Sequence, residues 1–85
     1  PVEIDVVAQS LDGKDLLVGE CKWAEKNTTV DVGRLAAELR AKAGKIPEAK
    51  GRRIILACWL GGGATARGHI EHLFHPQDVM TALER

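Results

Sequence analysis

Residues 2–23 read VEIDVVAQSLDGKDLLVGECKW, and how this stretch folds back on itself decides the rest of the chain. Val2 to Gln9 is rich in β-branched residues and Leu16 to Trp23 in apolar ones, the composition of two strands. Between them, Ser10 to Asp15 contains Asp12-Gly13, a strong signal for a tight hairpin turn. With Asp12 and Gly13 at the centre of the turn, antiparallel partners have position numbers that add to 25. Asp5 then faces Glu20 across the hairpin, and Glu3 faces Lys22. Side chains alternate between faces along a strand. Glu3, Asp5, Val7, Val18, Glu20 and Lys22 therefore share one face, while Val2, Ile4, Val6, Leu17, Cys21 and Trp23 form an apolar face suited to a core. A slip of one residue would scramble this separation, whereas a turn that moves the pairing sum by two would keep it.

Two carboxylates and an ammonium at one sheet edge can hold a divalent metal and polarise a phosphodiester. A solvated hairpin shows the same alternation, with Glu3 and Lys22 an ordinary cross-strand ion pair. Two features favour a site. Asp5 opposite Glu20 is a like-charge pair, destabilising unless a cation or a proton offsets it. The flanking residues are also strongly apolar, as in a largely buried sheet.

Beyond the hairpin, Lys26 to Thr29 is a polar connection. Thr28-x-x-Asp31 reads as a capping box. It introduces a helix with Val32, Leu35, Ala36, Leu39 and Ala43 on its inner side and Gly44 as its stop. Arg34, Glu38 and Lys42 recur four apart on the other side, with Glu38 and Lys42 suitably placed to pair. Arg52 to Leu60, RRIILACWL, is a nearly continuous apolar run, expected to be an interior strand covered on both faces. A hairpin followed by helix and strand implies a right-handed crossover back to the sheet. Gly61-Gly62-Gly63 is a flexible connection rather than a P-loop, because no Gly-Lys-Ser/Thr string follows it. His69 to Phe74 forms either a short last strand or the end of a short helix from Thr65. His69, His72 and His75 recur every third residue, so a strand would place them on alternate faces, unable to chelate together. Pro76 at a helix start, Asp78 in its first turn, and Val79, Met80 and Leu83 inward describe a closing helix.

With 85 residues, 45% of them hydrophobic and 12 basic against 12 acidic side chains, the chain is one small globular domain. A core built with only three aromatic residues is thin, and a partner surface is expected. The neutral balance argues against strong non-specific binding to nucleic acid. A local patch remains: Lys42, Lys45, Lys50, Arg52 and Arg53 gather around the loop before the apolar strand. They read as candidate phosphate contacts or, alternatively, as a solvated helix end. No run approaches the roughly 20 apolar residues of a membrane span, and no signal-peptide pattern opens the chain. Cys21 and Cys58, both in strand patterns, are expected to be buried reduced thiols of a cytoplasmic protein. Without a Cys-x-x-Cys, zinc is not indicated. A start at Pro1, almost inside the first strand, suggests a domain taken from a longer chain.

Glu3-Ile4-Asp5, a hairpin, and Gly19-Glu20-Cys21-Lys22-Trp23 together resemble the PD-(D/E)xK nuclease superfamily, which has the restriction-endonuclease-like fold. Within it, the segment is most similar to the nuclease-like domain at the C-terminus of certain archaeal and bacterial P-loop ATPases. The likeness covers the hairpin closely, and the following helix and strand by order and pattern. It implies an α/β fold over residues 1–85, with a mixed sheet of antiparallel hairpin, crossover helix and central strand. The family's first helix and one extra strand would be missing. It also implies that Asp5 and Glu20 bind Mg²⁺ or Mn²⁺, with the Cys21 backbone carbonyl as a further ligand and Glu3 as an accessory carboxylate. Lys22 would orient or activate the attacking water. The activity implied is metal-dependent hydrolysis of DNA phosphodiesters, with DNA and a P-loop ATPase domain of the parent chain as partners and a homodimer as an open option. Two departures stand against this. Ile4 replaces the family's usual Pro, and the missing first elements leave a second reading, an inactive docking or dimerisation module of an ATPase.

Overall fold

In the computed structural model, which describes residues 4–75, the hairpin closes through Ser10. The Gly13 N–H donates to the Ser10 carbonyl and the Ser10 N–H to the Asp15 carbonyl, both at 3.0 Å. The Ser10 hydroxyl accepts from the Asp15 N–H at 3.0 Å and donates to Asp12 Oδ1 at 2.6 Å. That hydroxyl, with the Lys14 N–H behind it, draws the Asp12 carboxyl below its usual range. Gly13 sits at φ +73°, a conformation that L side chains rarely adopt. The connection thus spans residues 10–14, longer than the two-residue turn expected, yet the register is unchanged. Strand β1 (Val6–Gln9) pairs antiparallel with β2 (Asp15–Trp23), with Val6 on Gly19, Val7 on Val18, Ala8 on Leu17 and Gln9 on Leu16, all adding to 25.

After the hairpin come β3 (Thr29–Asp31), helix α1 (Val32–Ala43), a 3-10 turn at Pro47–Ala49, β4 (Arg53–Gly61), β5 (Thr65–Arg67) and β6 (His72–Phe74). The main sheet has the order β1-β2-β4-β6. β4 returns parallel to β2, and β6 lies parallel on the other side of β4. The domain is therefore α/β with a mixed sheet and a crossover helix, as the pattern predicts, and the last strand of the described residues falls within His69 to Phe74. The small parallel pair β3-β5 has no counterpart in the sequence pattern. At three residues each, these strands owe their conformation to pairing rather than to composition.

The helix begins later than the expected capping box. Thr29–Asp31 is spent in β3, and Asp31 rather than Thr28 is the N-cap. Its Oδ1 accepts from the Arg34 N–H at 3.0 Å. Val32, Leu35, Leu39 and Ala43 face inward as their spacing predicts. Glu38 pairs with Arg34 at 3.3 Å, not with Lys42.

The core reverses the expected faces of the hairpin. Helix α1 packs with Leu16 and Val18 of β2 and with Leu56, Cys58 and Leu60 of β4, the face that also carries Glu20. In the parallel β2–β4 pair, even-numbered residues of both strands fall on one side and make a continuous aliphatic floor for the helix. On the other face, Trp59 covers Gly19, where a Cβ would come within 2.5 Å of the indole, and it stacks on Phe74 at 5.4 Å between centroids. Trp23 lies over Gly61 yet remains 80% exposed, and Cys21 is exposed rather than buried. β4 is thus interior to the sheet, but among the described residues a helix covers only one of its faces. The expected closing helix over Pro76 to Leu83 lies outside the described residues, as do Val2 and Glu3. No helix of the described residues is long and apolar enough to cross a membrane.

Candidate functional site

The β1–β2 ladder ends with the Val6–Gly19 pair. One step beyond it, the Cys21 N–H donates to Asp5 Oδ2 at 3.0 Å. A carboxylate has taken the place of a strand carbonyl, in a charge-assisted bond that pins the Asp5 side chain against the β2 backbone. Strand pairing stops at Val6, and Asp5, in a bend just before β1, meets β2 through its side chain rather than through the ladder. The other Asp5 oxygen, Oδ1, makes no hydrogen bond among the described residues.

Glu20 follows Leu16 and Val18 along the helix-covered face and is only 19% exposed at its side chain. Its neighbour on β4 is Cys58, fully buried. Burial pushes the Cys58 thiol up, and the Glu20 charge adds to the effect. From the last turn of α1, Lys42 brings its Nζ to 4.0 Å from Glu20 Oε1. Lys22, two residues past Glu20 on the same strand, is exposed and makes no ion pair among the described residues.

The hairpin thus brings the Asp5 carboxylate onto the Cys21 backbone, next along β2 from Glu20, with Lys22 one residue further on. The donors are hard oxygens, which suit Mg²⁺ or Mn²⁺ rather than zinc. Glu20 already attracts an ammonium, that of Lys42. Among the described residues no three His, Cys, Asp or Glu side chains gather to hold a metal by themselves. An ion here would draw on the two carboxylates, a backbone carbonyl and water, which is how Mg²⁺ is commonly held.

The basic residues separate. Arg52 donates from Nε to the Gly13 carbonyl at 2.9 Å and from Nη1 to the Glu48 carbonyl. Arg53 grips Asp15 with two bonds of 3.0 Å. Both arginines therefore brace the hairpin loop and the start of β4. Lys45 and Lys50 flank a shallow groove lined by Ile46, Pro47, Ala49 and Ile54. Lys42 alone among these cations turns to the carboxylates. Its sequence neighbours place it with the loop cations; only the packing of α1 shows that it reaches Glu20.

The fold is a small α/β domain, and at the open end of its hairpin the Asp5 carboxylate is bound to the Cys21 amide next to Glu20. No family model, no curated protein and no solved structure matches the chain.

Proposed function

We propose that this domain hydrolyses DNA phosphodiesters with Mg²⁺ or Mn²⁺ at a PD-(D/E)xK-type site. The observation that carries the reading is the Asp5 carboxylate tied to the Cys21 amide, beside Glu20 on β2. The order of hairpin, crossover helix and parallel strand supports a restriction-endonuclease-like core. A divalent ion bound here supplies a more acidic water and polarises a phosphoryl oxygen. Asp5 and Glu20 would hold it, with the Cys21 carbonyl as a third ligand; Glu3, the expected accessory carboxylate, lies outside the described residues. The Cys21 N–H keeps Asp5 from rotating away. Lys22 orients the attacking water and offsets charge on the phosphate. DNA and a P-loop ATPase domain of a parent chain are the partners, in a cytoplasmic setting.

A second reading, an inactive docking or dimerisation module of an ATPase, draws on the sheet face away from α1, which carries the 80% exposed Trp23 and the Trp59–Phe74 stack.

Calorimetric titration with Mn²⁺, followed by cleavage assays on single- and double-stranded DNA, separates the two. Wild type is expected to bind Mn²⁺, and Asp5→Asn and Glu20→Gln to lose that binding. Lys22→Met is expected to bind the ion but cleave about 10²–10⁴-fold more slowly, the usual worth of a group that handles the attacking water's proton. Equal Mn²⁺ affinity in wild type and both carboxylate variants would overturn the site. Mn²⁺ binding without cleavage of either DNA would favour the docking module.

A further inference from the structure

Glu20 is a largely buried carboxylate on the helix-covered face of β2, and a charge so placed needs a cation close by. The described residues supply one from another element. Lys42 lies on the last turn of α1, beside the inward stripe of Leu39 and Ala43, and its ammonium comes to 4.0 Å from Glu20 Oε1. The two side chains differ in freedom: Glu20 is 19% exposed and Lys42 37%, so the lysine is the partner that can move. A separation of 4.0 Å is an ion pair at its outer limit rather than a tight hydrogen bond, which leaves the carboxylate open to a stronger cation. Lys22, by contrast, has no such partner on the described surface. The two lysines therefore stand in different relations to the site, one engaged with a carboxylate and one free of it.

We infer that Lys42 is the resident counter-cation of Glu20, competing with a divalent ion for it and released to face an anionic ligand when the ion binds. This rests on the metal-site reading above and adds to it a positioning residue from outside the hairpin. Without a divalent ion, Lys42 holds Glu20 in place and offsets its charge. With the ion bound, the same ammonium is repelled by it and loses its claim on Oε1. A positive side chain then becomes available at the rim of the site, where a phosphodiester would meet it. The consequences have opposite signs: Lys42 weakens the binding of the ion alone and strengthens the binding of the anion that follows.

The test uses Lys42→Met, which keeps the length of the side chain and removes its charge, and Lys42→Arg, which keeps the charge. Mn²⁺ affinity is read from the electron paramagnetic resonance of free Mn²⁺ at low salt. Lys42→Met is expected to bind Mn²⁺ about three- to tenfold more tightly than wild type, the order expected of one unit charge several ångströms away in a solvent-screened setting. Lys42→Arg is expected to stay near wild type. The gain should shrink as salt is raised, which no purely packing role would produce. At saturating Mn²⁺, a short phosphorothioate oligonucleotide should bind more weakly to Lys42→Met than to wild type, by fluorescence anisotropy. Far-UV circular dichroism establishes that each variant is folded. Unchanged or weaker Mn²⁺ binding by folded Lys42→Met overturns the inference while leaving the metal site intact. Failure of wild type itself to bind Mn²⁺ overturns both.

Discussion

Cys21 and Cys58 sit on neighbouring strands but on opposite faces of the sheet, and their environments diverge accordingly. Cys58 is fully buried under α1, next to Glu20, and burial raises its pKa, with the Glu20 charge adding to the rise. Cys21, whose amide holds Asp5, projects from the exposed end of β2. The thiolate is the nucleophile toward disulfide reagents, so one thiol is both inaccessible and kept neutral while the other is open. Titration of the native protein with Ellman's reagent at mildly alkaline pH should therefore release one equivalent quickly, and the second only after denaturant is added. Cys21→Ser should abolish the fast phase. Two fast equivalents from native protein would contradict the packing of Cys58. The sequence places both thiols in strands but cannot separate them, because which face of a strand is buried depends on what packs against it.

Helix α1 and the small β3-β5 sheet are joined through one carboxylate. Asp31 ends β3, caps α1 through the Arg34 N–H, and meets Arg67 of β5 at 3.2 Å. The Arg34 N–H first, and Arg67 after it, hold the Asp31 carboxyl below its usual 3.8. The folded chain therefore takes up this proton less readily than the unfolded chain does. The stabilisation is fully present above about pH 3.8 and is lost as pH falls through the lowered folded value. Thermal unfolding should show Asp31→Ala melting below wild type at neutral pH, with the gap closing in strong acid. Asp31→Asn should fall between them, since an amide still caps but cannot pair with Arg67. A gap that stays constant from neutral to acid pH would rule out a charged cap. Much of this region is legible beforehand: the inward stripe from Val32 to Ala43 follows from spacing, and the hairpin register from Asp12-Gly13 and the alternation around it. The first residue of α1 is not legible, because Thr28-x-x-Asp31 satisfies the capping pattern while pairing with Thr65–Arg67 draws Thr29–Asp31 into a strand. For the same reason Lys42 reads as a partner of Glu38. Its true neighbour lies across the helix–sheet interface, at a distance that no spacing along the chain encodes.

The faces of the sheet carry unequal loads, and that asymmetry organises the domain. Aliphatic residues at even positions of β2 and β4 meet the α1 stripe in a closed cluster, with Leu16, Leu39 and Leu60 each 1% exposed. The opposite face is built from indoles lying over glycines, and Trp23 there is 80% exposed. A large aromatic residue ordinarily outweighs a leucine in a core, since it buries more area. Here the order should invert. Leu39→Ala removes the buried isopropyl group of a residue 1% exposed at the helix–sheet interface without a helix-propensity penalty, because alanine is the better helix former. The whole loss is therefore packing, about 2–5 kcal/mol, a large part of the roughly 5–15 kcal/mol that holds a native domain together. Trp23→Ala, at a largely solvated position, should cost within about 0.5 kcal/mol of nothing. Urea unfolding followed by circular dichroism provides the measurement, with the midpoint falling steeply for Leu39→Ala and staying near wild type for Trp23→Ala at an unchanged slope. If removing Trp23 proved as costly as removing Leu39, the indole face would belong to the core, and the division of the sheet into a covered and an open side would have to be abandoned.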